Sequence, residues 1–202
     1  LAEALKGIPR ENYRLMTKLR WQNLAREGYN PMDDIERFRR ELNSDYFDIF
    51  LLHNVKTITW PKELERLRDA VSEAKHKQII RCHGCSGHGL MPIRAYAGNP
   101  WLDVVLMRVN HDGTRMDNLR DEANVPGVRD EVLPTIEKVH GQGTGVLGMK
   151  IMGEGKFITP GQRDASIKFV MQFGKVDAVT IGFKSTAEID EAIQRMNTHL
   201  NA

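Results

Sequence analysis

The stretch Asp45-Tyr46-Phe47-Asp48-Ile49-Phe50-Leu51-Leu52-His53-Asn54 constrains this chain more than any other. Two carboxylates open it, an unbroken apolar run follows from Ile49 to Leu52, and a histidine ends it. A strand that is apolar at consecutive positions has to be covered on both faces, which is the situation of a parallel sheet clothed in helices. His53 then stands at the carboxyl end of the strand, the active-site face of a parallel α/β barrel. A histidine capping a core strand is the plain alternative, and the other strands decide between the two.

Those strands follow a regular order. Residues 1–7 read as the tail of a helix ending at Gly7, so the chain is expected to begin inside a domain. Residues 12–18 read as a strand. Asn30-Pro31 caps a helix with Ile35, Phe38 and Leu42 at helical spacing. After the His53 strand, Pro61 opens a helix with Leu64, Leu67, Val71 and Ala74 on one face. Strands are expected over residues 79–84, 102–109, 145–152 and 176–183. Helices are expected over 92–97 and 165–173, around Val132 and Ile136, and around Ile189 and Ile193. A long polar connection covers 111–126. Six strands alternating with helices imply a parallel sheet with crossover connections, either doubly wound or a barrel.

The strand ends separate these two. Lys18, His53, Ser86, Asn110, Lys150 and Lys184 each fall at or just past the carboxyl end of a different strand. A doubly wound sheet gathers ligand contacts at one switch point, whereas a barrel gathers all its strand ends around one mouth. The expectation is therefore one domain over residues 1–202, an α/β (β/α)8 TIM barrel. At 202 residues the chain is shorter than the roughly 250 such a barrel typically needs. It is expected to be incomplete, with the first two strands absent.

Composition excludes some classes. A formal charge of +2 leaves no nucleic-acid footprint, and no apolar run is long enough to span a bilayer. Two cysteines make no disulfide framework, so a cytoplasmic setting is the default expectation. Nothing in the sequence fixes an oligomeric state.

Several motifs reduce to structure. Gly143-Thr-Gly145-Val-Leu-Gly148 matches a dinucleotide fingerprint by letter, but its glycines precede a strand instead of opening a helix. Cys82 and Cys85 would point to opposite faces of one strand, so no metal or redox site is expected there. Asp45 and Asp48 lie at the amino end of their strand, the stability face of a barrel. Ser185-Thr-Ala-Glu188 is a capping box, and Lys184 beside it adds positive charge at a helix start, a plausible anion site.

Thr17-Lys18, Leu51-Leu52-His53, Gly84-Cys85-Ser86 and Ile181-Gly182-Phe183-Lys184-Ser185, in this order and on these strands, resemble the aldo-keto reductase family over essentially the whole chain. The resemblance implies an oxidoreductase that reduces aldehydes or ketones with NADPH, with NADH also admitted, acting on a small-molecule carbonyl. It implies Lys18 and His53 as catalytic residues. For the cofactor it implies Ser86 on the nicotinamide carboxamide, Met149 and Lys150 beside the ring, Gly153 and Gly155 over the pyrophosphate, and Lys184, Ser185 and Glu188 at the adenosine end. The family's Asp and Tyr belong before Leu1, so the chain alone is expected to be inactive. Gly87, Leu106, Met149 and Asp190 depart from the commoner family pattern, as in a divergent branch. The runner-up is a non-catalytic nucleotide-binding barrel that acts through a protein partner. A barrel hydrolase would need a carboxylate or metal cluster at the strand ends, and the sequence shows none.

Overall fold

The computed structural model describes residues 1–200. After a single turn, α1 (Ala2–Leu5), the chain runs β1 (Met16–Arg20), α2 (Pro31–Leu42), β2 (Phe47–Val55), α3 (Trp60–Glu63) and α4 (Glu65–His76). It continues through β3 (Ile80–Gly87), α5 (Leu90–Ile93), β4 (Val104–Arg108), α6 (Arg129–Gly141), β5 (Gly145–Met149), α7 (Pro160–Phe173), β6 (Ala178–Val179) and α8 (Thr186–Leu200). All six strands are parallel, and their order in the sheet is their order in the chain. A doubly wound sheet would reverse its strand order at a switch point. Here nothing reverses, so the fold is six consecutive βα units of a (β/α)8 barrel.

Side chains alternate between two apolar layers, as the pleat requires. Leu19, Phe50, Leu52, Cys85, Val105 and Val146 face the helices and pack with Ile35, Leu67, Val71, Val132, Ile136 and Ile167. Leu51, Val104, Leu106 and Met149 form a second, concave cluster with Met16, Ile49, Cys82 and Leu147. Cys82 and Cys85 thus lie on opposite faces of β3. Gly143 turns the chain at φ +84 before β5 begins at Gly145, so the glycine motif does enter a strand.

Helix ends follow the sequence. Asn30 Oδ1 accepts the Met32 N–H at 3.1 Å, and Asn43 closes α2 in the left-handed region. Thr159 and Gln162 form a reciprocal capping box on α7. The helix after Pro61 is divided at Leu64 into α3 and α4.

Several strand boundaries differ from the sequence expectation; the strands placed at 102–109 and 145–152 are trimmed to Val104–Arg108 and Gly145–Met149, and three others change more. The strand placed at 12–18 is β1, Met16–Arg20, because the segment before it is pinned in a turn. Arg10 donates to the carbonyls of Tyr13 and Tyr46 and to Asp48 Oδ2 at 2.7 Å, while Asp48 also accepts the Leu15 N–H at 2.8 Å. Asp48 is therefore a structural hub at the amino end of the sheet, where Arg81 also reaches it at 3.0 Å. The strand placed at 79–84 runs on to Gly87, which brings Ser86 inside the ladder. The strand placed at 176–183 shrinks to Ala178–Val179, which pair only with β5 among the described residues. No described helix is long and apolar enough to cross a membrane.

Candidate active site

The parallel register sets the depth of each candidate. Arg20, His53 and Ser86 are level on neighbouring strands, and Lys18 is level with Leu51 and Gly84. Lys18 therefore lies within β1, two residues short of the level of His53, and not at the strand end. The strand continues past it to Arg20. By alternation Lys18 and His53 share the concave face with Leu51.

Lys18 is half-buried, and no carboxylate lies within ion-pair distance of it among the described residues. Burial first, and then the neighbouring Lys150 ammonium, hold its pKa below an ordinary lysine's. Burial, then Lys18 and Arg20, hold the His53 imidazole below its usual range, so His53 is neutral at neutral pH. The ladder slips between His53 and Val55, and Asn54 takes a φ of +57. Its carbonyl accepts the Trp21 indole N–H at 2.9 Å, which ties the segment after β1 to the end of β2.

Ser86 is fully buried, and its Oγ has no hydrogen-bond partner. A buried hydroxyl left unpaired is costly, and at a strand end facing a mouth it marks where a polar ligand atom would complete it. Met149 closes the concave layer at the end of β5. Lys150 follows in the left-handed region at φ +62, and its ammonium is bound to Glu154, which also accepts from Arg115 at 3.1 Å. Gly153 and Gly155 flank Glu154 at φ +54 and +81. A Cβ at Gly153 would meet Phe157 and Thr114 at 3.1 Å, whereas the space beside Gly155 is open.

At the start of α8, Ser185 Oγ accepts the Glu188 N–H at 3.3 Å. The Glu188 carboxylate accepts the Lys184 N–H at 2.8 Å, one residue earlier than a reciprocal box requires. Gly155, Phe157, Lys184, Glu188 and Arg195 line a cavity of about 330 Å3, a small-ligand size. The structure thus assembles two groups. Lys18, His53, Ser86 and Lys150 gather at the mouth, and Gly155, Lys184 and Glu188 gather around the cavity. The orphaned Ser86 hydroxyl and the open glycine loop suit an extended dinucleotide.

A third group escaped the sequence reading. Arg108, at the end of β4, donates to Asp121 at 2.7 Å, lies 3.3 Å from Asp117 and 2.6 Å from His88 Nδ1. Lys56 also binds Asp121, and Asp117 accepts the Gly89 N–H at 2.8 Å. His88 meets His53 edge-on, ring centroids 6.2 Å apart. Burial lifts the Asp117 carboxyl to about 6 against the pull of Arg108. Burial, then Arg108, push His88 down to about 3. The available signal was Arg108 itself, a charge closing the apolar run Val104 to Met107. Asn110 is buried and bonds the carbonyls of Thr114 and Lys150. It positions the two loops and leaves no free donor for a ligand.

The family model for the aldo/keto reductases matches residues 1–166. The chain belongs to the aldo/keto reductase family. Solved aldo-keto reductases share its fold. The Bacillus halodurans enzyme in its holo form superposes with a TM-score of 0.71 at 19% identity, over 99% of this chain and 75% of that one. A Pseudomonas aeruginosa protein assigned to the aldo-keto reductases gives 0.72 at 17%, over 99% and 73%. The Klebsiella pneumoniae enzyme, solved in complex with NADPH, gives 0.69 at 16%, over 100% and 68%. No curated protein matches the sequence.

This aldo/keto reductase chain has four tyrosines, and the Tyr96 hydroxyl lies against Gly87, the residue after Ser86 on β3. Tyr13 and Tyr46 pack on Arg10 at the opposite end, Tyr29 donates to Asp34, and Tyr96 is buried edge-on against Trp60.

Proposed function

We propose that the chain binds NADPH, or NADH in its place, and serves the reduction of aldehydes or ketones to alcohols. The observation that carries this reading is the buried, unpartnered Ser86 hydroxyl, level with His53 on the adjoining strand. Ser86 would hold the carboxamide of the nicotinamide. Lys150, Gly153 and Gly155 would lie along the pyrophosphate, and Lys184, Ser185 and Glu188 at the adenosine end beside the cavity. When bound, the nicotinamide supplies the hydride.

The chain's own residues supply charge and orientation. Neutral His53 donates a hydrogen bond to the carbonyl oxygen and aligns it. The Lys18 ammonium, unneutralised by any described carboxylate, favours negative charge developing on that oxygen. In the resemblance a tyrosine gives the proton. The second reading is a nucleotide-binding barrel without turnover that acts through a protein partner.

One assay separates the two. NADPH oxidation is followed by absorbance with a panel of aldehydes and ketones, alongside NADPH affinity. Turnover that falls about 10²–10⁴-fold in Lys18→Met, with affinity little changed, supports the reductase. Tight NADPH binding with no oxidation supports the second reading.

A further inference from the structure

We propose that the cavity beside the ends of β4 and β5 selects carbonyl substrates that carry a carboxylate a few bonds from the carbonyl, short oxo acids; this rests on the reading of His53 as the group that aligns the carbonyl. His88, Arg108 and Arg115 hold that carboxylate. The cavity measures about 200 Å3 and is lined by His88, Arg108, Arg115, Lys150, Asp121 and Glu154. Its own carboxylates are already engaged. Asp121 accepts from Arg108 at 2.7 Å and is also bound by Lys56. Glu154 is bound by Lys150 and lies 3.1 Å from Arg115. Glu122, also in the lining, lies 3.9 Å from Arg120. Asp117, 3.3 Å from Arg108, is fully buried and lines no part of the cavity. Five cations, Lys56, Arg108, Arg115, Arg120 and Lys150, thus meet four carboxylates, and the cluster keeps a net positive charge.

The hydrogen bonds set which donors remain. A guanidinium carries donors only. His88 Nδ1, 2.6 Å from Arg108, is therefore the acceptor, which fixes the His88 proton on Nε2. That N–H is left for a ligand. Arg108 Nε has no acceptor among the described residues. His88 meets His53 edge-on, ring centroids 6.2 Å apart. A carbonyl on His53 thus stands one ring away from these donors, and a carboxylate a few bonds along the same substrate reaches them. Hydrogen bonds from a guanidinium to a carboxylate are charge-assisted and stronger than those to a neutral group. A plain aldehyde or ketone leaves the donors unmet, which discriminates against it.

The test is histidine-ring NMR on the whole chain at neutral pH, first without cofactor and then with NADPH. Levulinate, a short oxo acid, is titrated alongside its neutral isostere methyl isoamyl ketone. Levulinate is expected to shift the His53 and His88 ring signals saturably and to bind about tenfold tighter than the ketone, the effect of one hydrogen bond to a charged group. Arg115→Gln is expected to remove that advantage and leave the ketone unchanged; it spares Arg108, whose replacement unties Asp121. Levulinate that stays bound with NADPH supports the proposal. Its displacement by NADPH or by inorganic pyrophosphate overturns it, because the cavity is then the seat of the cofactor's pyrophosphate. Equal affinity for the two probes, or an unchanged advantage in Arg115→Gln, overturns it too. Levulinate bound beside NADPH but never reduced leaves the carboxylate site standing and fails the reductase reading alone.

Discussion

Arg108 and Asp121 are joined at 2.7 Å across the mouth of the sheet, so the end of β4 holds the middle of the long connection that follows it. Lys56, just past β2, binds the same carboxylate. One side chain therefore ties two strand ends to one loop. Asp121→Ala leaves Arg108 and Lys56 without this partner, and a bond to a charged group contributes about 1.5–3 kcal/mol. Amide hydrogen exchange across residues 113–128 is expected to speed up, with β1 and β2 unchanged. Unaltered exchange in that loop would mean the pairing does not hold it.

The buried network should also shape acid stability. Asp117 has its pKa raised to about 6, so its contribution to stability is full below the unfolded value and is lost as pH rises through 6. His88 is depressed to about 3, so its neutral burial favours folding above the unfolded value near 6.5 and less as pH falls towards 3. Between pH 4 and 6 the two oppose each other. Asp117→Asn removes the first and leaves the second. Its melting temperature relative to the parent is expected to worsen steadily from pH 7 to pH 4. Parallel pH profiles would refute the assignment.

Lys18→Met is expected to raise the melting temperature. It removes a half-buried cation that has no carboxylate partner, and keeps most of the apolar volume. The lowered pKa of Lys18 means the unfolded chain binds more protons in the alkaline window below 10.5, so the parent's stability rises with pH there. The variant should lose that slope. A lower melting temperature would show that the ammonium has a stabilising partner.

The two loop glycines make a matched pair. Both have positive φ, which costs a residue with a Cβ about 1–2 kcal/mol. At Gly153 the new methyl also meets Phe157 and Thr114, while at Gly155 it meets nothing. Urea unfolding is expected to show Gly153→Ala as the more destabilised of the two. Equal losses would mean that the contacts at 3.1 Å relax without cost.

Much of this was legible in the chain because apolar periodicity is local. The run ending at His53, the Asn30-Pro31 cap and the helical face of Leu67, Val71 and Ala74 each encode one element without outside help. Winding was legible too, since strands alternating with helices implied consecutive parallel units, although the six polar residues do not all end strands: Lys18 lies inside β1 and Lys184 lies beyond β6 beside the cavity. What escaped was set by partners distant in sequence. The start of β1 depends on Arg10 reaching Asp48, and the length of β6 depends on which strand lies beside it. Lys18 was placed too near the rim because its strand continues through Leu19 to Arg20, an extension that only the register with β2 reveals. Arg108, His88, Asp117 and Asp121 come from separate segments, and no spacing links them.

The most direct measurement is a titration of the chain with NADPH, followed by quenching of tryptophan fluorescence and repeated with Ser86→Ala. Trp21, hydrogen-bonded to Asn54 beside His53, places a reporter at the mouth. Saturable quenching is expected, with affinity about 3- to 10-fold weaker in Ser86→Ala, the effect of losing one hydrogen bond of about 1 kcal/mol. No quenching at millimolar NADPH, or equal affinity in the two proteins, would contradict the assignment of this mouth as a nicotinamide site.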